Sequence, residues 1–336
     1  MLGFIFIRPL AVWLGAEGQL LEDCVLYGKI ILVALPFYIL QMEFQSFFVA
    51  AEKSNLGLVA TVISGVTNIV LDALFIAVLE WGIWGASAAT ALSQVVGGIV
   101  PIIYFSRQNT SRLRLVKCKF DGYALFKTCT NGASELMSNI SMSAVGMLYN
   151  VQLLGIAQEN GVSAYGVLMY VSFAFLSIFI GFAIGSAPII SYHYGAKNKA
   201  ELKSLLKKSS VIILAMSVLM FAAGELLGRP FSILFVGYDD VLLDMTAHGF
   251  AIFSVSFLFS GFAIFGSSFF TALNDGITSA IISFFRTLVF QVGAVLILPL
   301  IWGLDGIWWS IVVAEVMAML FTVLFLILKK NRYGYM

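Results

Sequence analysis

An aspartate interrupts the largely apolar stretch TNIVLDALFI at residues 67–76. Asp72 lies about midway along a predicted helix, and Asn68 precedes it by one turn on the same face. Holding an acid inside a membrane helix costs several kcal/mol, so such an acid is a functional candidate by default. With Thr90 on the next helix, the pair offers hard oxygen ligands for a proton or a Na⁺ ion. The alternative is a polar contact that only joins two helices.

A second acid, Glu135, lies in the stretch TNGASELMSNIS, and Asn139 follows it by four residues. The two side chains share a helix face and could line a cavity in the second half of the chain. Alternatively, an acid in the first turn of a helix offsets the helix dipole and needs no further role. The residues alone leave both interpretations open.

Two further charges, Arg286 and Glu315, lie within consecutive antiparallel helices. Counted from the predicted cytoplasmic ends of these helices, their depths differ by about 6 Å at the helical rise. Opposite charges at similar depth in a membrane pair with one another. We therefore predict a structural ion pair.

Composition fixes the class of protein that must position these groups. Of the 336 residues, 60% are hydrophobic and 11% are charged, and the mean hydropathy is +0.98. A soluble domain cannot bury so much apolar surface, so we predict a polytopic membrane protein in contact with the lipid bilayer. The net charge of +1 gives no sign of a nucleic-acid partner. With no P-loop, HExxH, GxSxG or CxxC motif, we expect neither an enzyme nor an organic cofactor.

A membrane-crossing helix needs about 20 apolar residues, and nine stretches reach that length. Residues 2–14 are too short and predict only a partial helix. Of the 19 Lys and Arg residues, 15 lie in or beside loops on one side of these spans. The positive-inside rule places that side and the C-terminus in the cytoplasm. The predicted spans are 28–50, 56–79, 83–105, 128–154, 163–190, 208–227, 247–272, 277–300 and 306–328.

The two halves of the chain resemble one another at a separation of 221 or 222 residues. Arg8-Pro9 recurs as Arg229-Pro230, SFF at 46–48 recurs at 268–270, and WGIWG at 81–85 recurs as WGLDG at 302–306. Parallel repeats of this kind are typical of transporters that hold the transport path between two lobes.

The duplication predicts an all-α, two-lobe bundle with nine full spans and a short partial helix. Residues 1–105 form part of an amino-terminal lobe, 106–127 a basic loop, and 128–330 a complete six-helix lobe. Since the first copy has three full helices against six in the second, we expect roughly 95 residues to precede Met1 in a protein with equal lobes.

Several motifs together resemble the multidrug and toxic compound extrusion (MATE) transporters, in their bacterial multidrug branch. The similarity runs from residue 8 to residue 330. It rests on NIVLDALFI (68–76) followed by WGIWGASAAT (81–90), on IGSAPIISYHYGAKN (184–198), and on GLDGIWWSIVVAE (303–315).

The resemblance implies twelve helices in two six-helix lobes, with organic cations exported against an inward Na⁺ or H⁺ gradient by rocking of the lobes. It also implies a cation site in the amino-terminal lobe, where Asn68, Asp72 and Thr90 match the family pattern and Tyr27 matches it more weakly. The first helix of the family, which carries a further Asp of that site, has no counterpart in this sequence.

We therefore expect a monomeric antiporter of small, cationic organic molecules in the bacterial inner membrane, with Na⁺ or H⁺ as the coupling ion. One alternative is a flippase for lipid-linked oligosaccharides from the same superfamily. Such a protein needs several basic residues facing its cleft, whereas Arg286 is the one basic residue deep within a predicted span. Another alternative is a truncated remnant that transports nothing.

Overall fold

The computed structural model describes residues 2–13, 18–108, 111, 113–116 and 120–335, and their regular structure is entirely helical. The chain divides into two compact units, Met1–Lys119 (unit 1) and Phe120–Met336 (unit 2). The division falls within the predicted basic loop, 106–127. Each unit has its own apolar core, as expected of separate lobes.

Unit 1 is built around helix α4, which packs against both α2 and α3. Near the last turns of α2 and α4, the rings of Phe48 and Phe105 lie 5.0 Å apart between centroids and form part of the apolar core. The helices of unit 1 are α1 (Leu2–Trp13), α2 (Gly18–Ala50), α3 (Ser54–Asp72), a π-helical segment π1 (Ala73–Val78), and α4 (Gly82–Ser106).

Unit 2 has a larger core, in which the fully buried Trp308 packs with Tyr149 and Phe250. Its first helix follows Asp121, whose carboxylate accepts hydrogen bonds from two backbone N–H groups of the opening turn. The helices are α5 (Gly122–Gly195), α6 (Lys199–Val236), α7 (Asp240–Ser254), α8 (Phe257–Ala272), α9 (Gly276–Phe284), the π-helical segment π2 (Phe285–Phe290), α10 (Gln291–Ile297), α11 (Pro299–Trp302) and α12 (Leu304–Tyr333).

The described helices match the nine predicted spans. Seven are long and apolar enough to cross a membrane, or eight when α7 and α8, bent by 52° at their junction, count as one span. Helix α5 contributes two spans because its 74 residues include a break at Gln158, where φ is 54°. Helix α1 is the predicted partial helix. The chain is thus an all-helical, polytopic membrane protein.

The repeated motifs WGIWG and WGLDG adopt the same conformation at equivalent corners. Gly82 and Gly303 each have φ of 57°, a left-handed conformation that glycine adopts without strain. Three residues later, Gly85 and Gly306 lie so close to the preceding helix that a side chain at either position would press against it. The sequence repeat is therefore a structural repeat.

A polar corner joins α8 to α9 beside the last turns of α12. The Asp275 carboxylate accepts hydrogen bonds from the hydroxyls of Thr278 at 2.8 Å and Tyr333 at 2.6 Å, and Lys329 Nζ lies 3.5 Å away. Burial raises the pKa of Asp275, but the bonds from Tyr333 and Thr278 and the charge of Lys329 together outweigh it. The net pKa lies below the ordinary value of 3.8.

A carboxylate with a lowered pKa stabilises the folded state above its unfolded pKa, and this contribution is lost as the pH falls through the folded value. Asp275→Asn should therefore lower the unfolding temperature at pH 6–8, by about 2–4 °C for a loss near 1 kcal/mol. The difference from the parent protein should shrink below the ordinary value of 3.8. Thermal unfolding in detergent at several pH values measures it.

Asp239→Asn is the matched control, because Asp239 caps α7 by accepting from the backbone N–H groups of Val241 and Leu242, and asparagine caps helices equally well. We expect little change for this variant. Equal losses in the two variants at neutral pH would contradict a stabilising role for the Asp275 charge.

Candidate functional site

Asp72 lies at the point where α3 gives way to a π-helix. It is the last of the 19 residues of α3, and the six residues of π1 follow it in a 25-residue span. The sequence predicted a position about midway along the helix, which is wrong: Asp72 lies in the last third of the span, because the span begins at Ser54 and ends at Val78. Single π-helical turns occur frequently at functional sites.

The register between α3 and α4 brings Thr90 to the same level as Asn68. The Ser64 hydroxyl donates to the Ser93 carbonyl at 2.8 Å, which fixes the pairing of the two antiparallel helices. Moving one turn from this contact toward the Val78 end of the span leads to Asn68 on α3 and to Thr90 on α4. Asn68 lies about 6 Å from Asp72 along the helix axis, and Thr90 lies near the level of Asn68.

Polar atoms in this region lack partners among the described residues. The Nδ2 of Asn68 is buried without a hydrogen-bond partner, and so is the Oε1 of Gln94, which follows Thr90 by one turn. Thr90 donates its proton to the Ala86 carbonyl at 3.0 Å, which leaves the lone pairs of its oxygen as acceptors. The half-buried Asp72 carboxylate has no hydrogen bond or ion pair within the described part of the chain.

This set of donors suits a monovalent cation or a proton. One carboxylate, one amide oxygen and one hydroxyl are hard oxygen ligands with a single negative charge between them. A cluster of three or more His, Cys, Asp or Glu side chains, as a transition metal needs, is absent from the described residues. A Na⁺ or H⁺ site at Asn68, Asp72 and Thr90 stays a prediction, and their oxygens are of the type that it requires.

Tyr27, the weaker match, is not brought to this site. Gln45 Nε2 donates to Thr61 Oγ1 at 2.9 Å, which pairs the last turns of α2 with the first turns of α3. Extending that pairing along the two helices places Tyr27 opposite Leu79, about 10 Å beyond Asp72 at the helical rise. Its side chain is 40% exposed.

Glu135 lies well inside α5 and not in its first turn. Helix α5 begins at Gly122, so Glu135 is 13 residues into it. The interpretation that this acid only offsets the helix dipole is therefore wrong, because that effect is confined to the terminal turn. The sequence had suggested a start near 128, since the capping Asp121 precedes a stretch that reads as part of the basic loop.

Glu135 instead opens an exposed polar strip along α5. Asn139 Nδ2 donates to the Glu135 carbonyl at 2.8 Å, the Ser143 hydroxyl donates to the Asn139 carbonyl at 3.3 Å, and Asn150 continues the strip two turns later. Exposed polar groups at membrane depth face a water-filled cavity or polar protein rather than lipid. This strip is the candidate cavity surface of unit 2.

Arg286 and Glu315 meet inside unit 2 in a two-pronged ion pair. Arg286 Nε lies 3.0 and 3.1 Å from the two carboxylate oxygens of Glu315, and Nη2 lies 2.8 Å from Oε1. Glu315 is 2% exposed. Because both charges are satisfied within one unit, the geometry fits the predicted structural pair.

One further acid, Glu225, escaped the sequence analysis. It accepts a hydrogen bond of 2.5 Å from the Ser254 hydroxyl, at the junction where α7 bends into α8. The predicted span ended two residues beyond it, before Arg229-Pro230, whereas α6 continues through Pro230 to Val236. The apolar residues that follow Pro230 indicate that the helix continues, which would have placed Glu225 well inside it and not at its end.

The MatE family model matches residues 1–74 and 136–296, which is more than half of the chain. The chain belongs to the MatE family. The matched ranges include Asp72 and Asn68 in unit 1 and Arg286 in unit 2.

Curated relatives of this MatE protein are multidrug exporters by name. The multidrug export protein MepA of Staphylococcus saprophyticus is 28% identical over 336 residues, which cover 97% of this chain and 71% of that protein. MepA of Staphylococcus aureus strain NCTC 8325 is 25% identical over 332 residues, covering 97% of this chain and 72% of that one. The chain is thus a multi-pass membrane protein of a multidrug efflux family.

Solved structures share the MatE fold. An outward-facing multidrug resistance MATE family transporter of the MOP superfamily superposes with a TM-score of 0.91 at 22% identity, over 99% of this chain and 75% of that one. A MATE structure in complex with MaL6 gives a TM-score of 0.90 at 22% identity over the same shares. Both comparisons support the helical architecture described above.

The ion pair of this MatE protein predicts a pattern across three variants. Glu315→Gln or Arg286→Met alone leaves one buried charge unpaired and should cost about 3–5 kcal/mol. The double variant should recover much of that loss, since neither charge remains. Chemical unfolding of the purified protein measures these changes, and single variants as stable as the parent would contradict a structural role.

Proposed function

We propose that this chain exports small organic cations by antiport with Na⁺ or H⁺, and that Asp72 carries the coupling ion. The observation behind the proposal is a half-buried carboxylate without a partner among the described residues, beside the amide of Asn68 and the hydroxyl of Thr90. An unpaired charge held within a membrane span is expensive, so an arriving cation or proton gains the free energy that a structural partner would otherwise supply.

Coupling follows from the two states of this carboxylate. With a cation or proton bound, the site is neutral; once it is released, a negative charge remains inside the membrane. The charged carboxylate favours polar surroundings and the neutral site favours apolar ones. If the ion binds more tightly in one conformation than in the other, its binding shifts the equilibrium toward that conformation by the difference in binding free energy. We propose that these conformations are the outward-open and inward-open states of two lobes, related by the repeat that joins WGIWG to WGLDG.

Substrate binding is assigned to the exposed strip on α5. Glu135 provides the negative charge that attracts an organic cation, while Asn139 and Ser143 provide polar contacts on the same face. Met142 and Met147 lie beside the strip and are exposed, and their flexible thioethers suit substrates of varied shape. The curated relatives are named as multidrug exporters, which supports a site of broad specificity.

The flippase alternative has less support. Its substrate carries pyrophosphate, which requires basic side chains facing the cavity. Arg286 lies deep within unit 2, but its guanidinium is held by Glu315 at 2.8 Å and is not available to a phosphate. The proposal further places the protein in a bacterial plasma membrane as a monomer, with a cytoplasmic C-terminus by the positive-inside rule.

Asp72→Asn tests the coupling role, since asparagine keeps the shape and polarity but cannot bind or release a proton. We expect gradient-driven efflux of a fluorescent organic cation from proteoliposomes to fall about tenfold or more, which corresponds to at least 1.4 kcal/mol. Imposing a Na⁺ gradient and a pH gradient separately identifies the coupling ion.

Glu80→Gln is the matched control, because Glu80 lies eight residues beyond Asp72, is exposed and follows the same span. We expect this variant to transport at the parent rate. If Asp72→Asn behaves like Glu80→Gln under both gradients, Asp72 is not the coupling group and only joins helices.

Glu135→Gln should weaken transport of cations selectively. Loss of the charge should raise the KM for a cationic substrate about fivefold, near 1 kcal/mol, and leave a neutral substrate unchanged. Glu159→Gln, an exposed acid beside the Gln158 break in α5, serves as the control. Equal effects of Glu135→Gln on both substrates would remove Glu135 from the substrate site.

A further inference from the structure

A line of polar side chains continues from Asp72 toward the cytoplasmic end of α3. Thr61, Ser64, Asn68 and Asp72 recur at intervals of three and four residues, so they occupy one face of the helix. From Thr61 to Asp72 the line covers about 16 Å at the helical rise, roughly half of the hydrocarbon thickness. In a helix that otherwise exposes apolar residues to lipid, so long a polar face needs an explanation.

The neighbouring helices of unit 1 present polar groups to the same face. Gln45 on α2 donates to Thr61 at 2.9 Å. Gln41, one turn further outward, is only 8% exposed, and its amide lies over Gly97 of α4. A side chain at position 97 would overlap the Gln41 oxygen and would lie 2.9 Å from the Ser64 hydroxyl. Gly97 therefore leaves the space in which Gln41 and Ser64 come together.

Two polar atoms along this line are buried and unsatisfied. They are the Nδ2 of Asn68 and the Oε1 of Gln94, on facing helices. A buried polar atom without a partner costs about 1–3 kcal/mol. Such a cost is removed when water or an ion occupies the space beside the atom. An amide oxygen and an N–H group on facing helices can together hold a water molecule, and the oxygen alone can hold a cation.

We propose that Gln94, Ser64 and Gln41 line the cytoplasmic half of an ion pathway that begins at Asp72. This inference rests on the proposed function, in which Asp72 exchanges Na⁺ or H⁺. An ion that leaves the carboxylate moves inward by exchanging one neutral oxygen ligand for the next, in company with water. The bond between Gln45 and Thr61 closes the cytoplasmic end.

The chemistry of the line suits passage rather than storage. Its members are amides and hydroxyls without formal charge, so each binds a small cation weakly enough to release it. Asp72 alone holds the ion firmly, at the outer end. Because Asp72 lies in the outer third of its span, an ion bound there has the longer distance to travel on the cytoplasmic side, and this is the side on which the polar line lies.

Cysteine accessibility tests the pathway without requiring transport. Ser64→Cys is made in protein whose Cys24, Cys118 and Cys129 are replaced by serine, and inverted vesicles present the cytoplasmic face to a small, charged, membrane-impermeant methanethiosulfonate. We expect Ser64→Cys to react, and to react about fivefold faster when Gln45→Ala opens the cytoplasmic end. Reaction only from the outer face, or none, would overturn the proposal.

Ser217→Cys in unit 2 is the matched control. Ser217 is buried nine residues from the start of the predicted span 208–227, and its hydroxyl also lacks a partner among the described residues. Ile213 and Met220, one turn to either side, are buried and apolar, so Ser217 belongs to no polar line. We expect this cysteine to remain unreactive. Reaction at Ser64→Cys no faster than at Ser217→Cys counts against the pathway.

Gly97→Ala provides a second, independent variant. The added methyl group displaces the Gln41 amide, so ion-driven efflux should slow about fivefold or more while the substrate KM stays unchanged. Gly65→Ala is the control, because a Cβ at Gly65 meets no atom within 4 Å. Equal efflux from the two variants would contradict the pathway. A further combination of results separates the two proposals. If Ser64→Cys is labelled from the cytoplasmic face while Asp72→Asn transports at the parent rate, the pathway is supported and the coupling role of Asp72 is refuted.

Discussion

The absence of water in the hydrocarbon core governs where this protein can place polar groups. Every buried donor or acceptor there must find a partner within the protein or lose several kcal/mol. The helices satisfy the backbone polar groups by their own hydrogen bonds. The side chains therefore determine which buried polar groups are satisfied and which could bind a ligand. An unpaired charge under this constraint marks a place where a cation or a proton would be stabilised.

The two units differ in how they hold their deep charges. In unit 2, Arg286 and Glu315 pair with one another at 2.8 Å, although several buried hydroxyls there, those of Ser172, Ser217 and Thr322, have no partner among the described residues. In unit 1 the Asp72 carboxylate and the Asn68 amide nitrogen have no partner among the described residues. A paired charge stabilises the fold, whereas an unpaired carboxylate can bind an ion reversibly.

Much of this organisation is readable from the sequence, and the exceptions have physical causes. Apolar length identifies the spans because nothing shorter crosses a bilayer, and one-turn spacing identifies Asp72 with Asn68. Tyr27 lies away from them because the register between α2 and α3 depends on particular contacts, such as Gln45 with Thr61, that no spacing within one helix reveals. Glu135 was placed in a first turn because Asp121, the true cap, follows a basic loop. The one-turn spacing from Thr90 could have identified Gln94 as a polar residue on the same helix face. Its role in the proposed pathway rests on a buried oxygen without a partner, which the sequence does not reveal.

The π-helical segment after Asp72 has a mechanical consequence. A π turn holds one residue more than an α turn, and an α-helix advances about 100° per residue. If that extra residue moves along the chain by a single turn, the side chains it passes swing to a neighbouring face of the helix while every backbone hydrogen bond is exchanged for another. Asp72 borders such a turn in unit 1, and Arg286 lies within one in unit 2. Such a shift would turn these side chains about the helix axis without unwinding the helix in lipid.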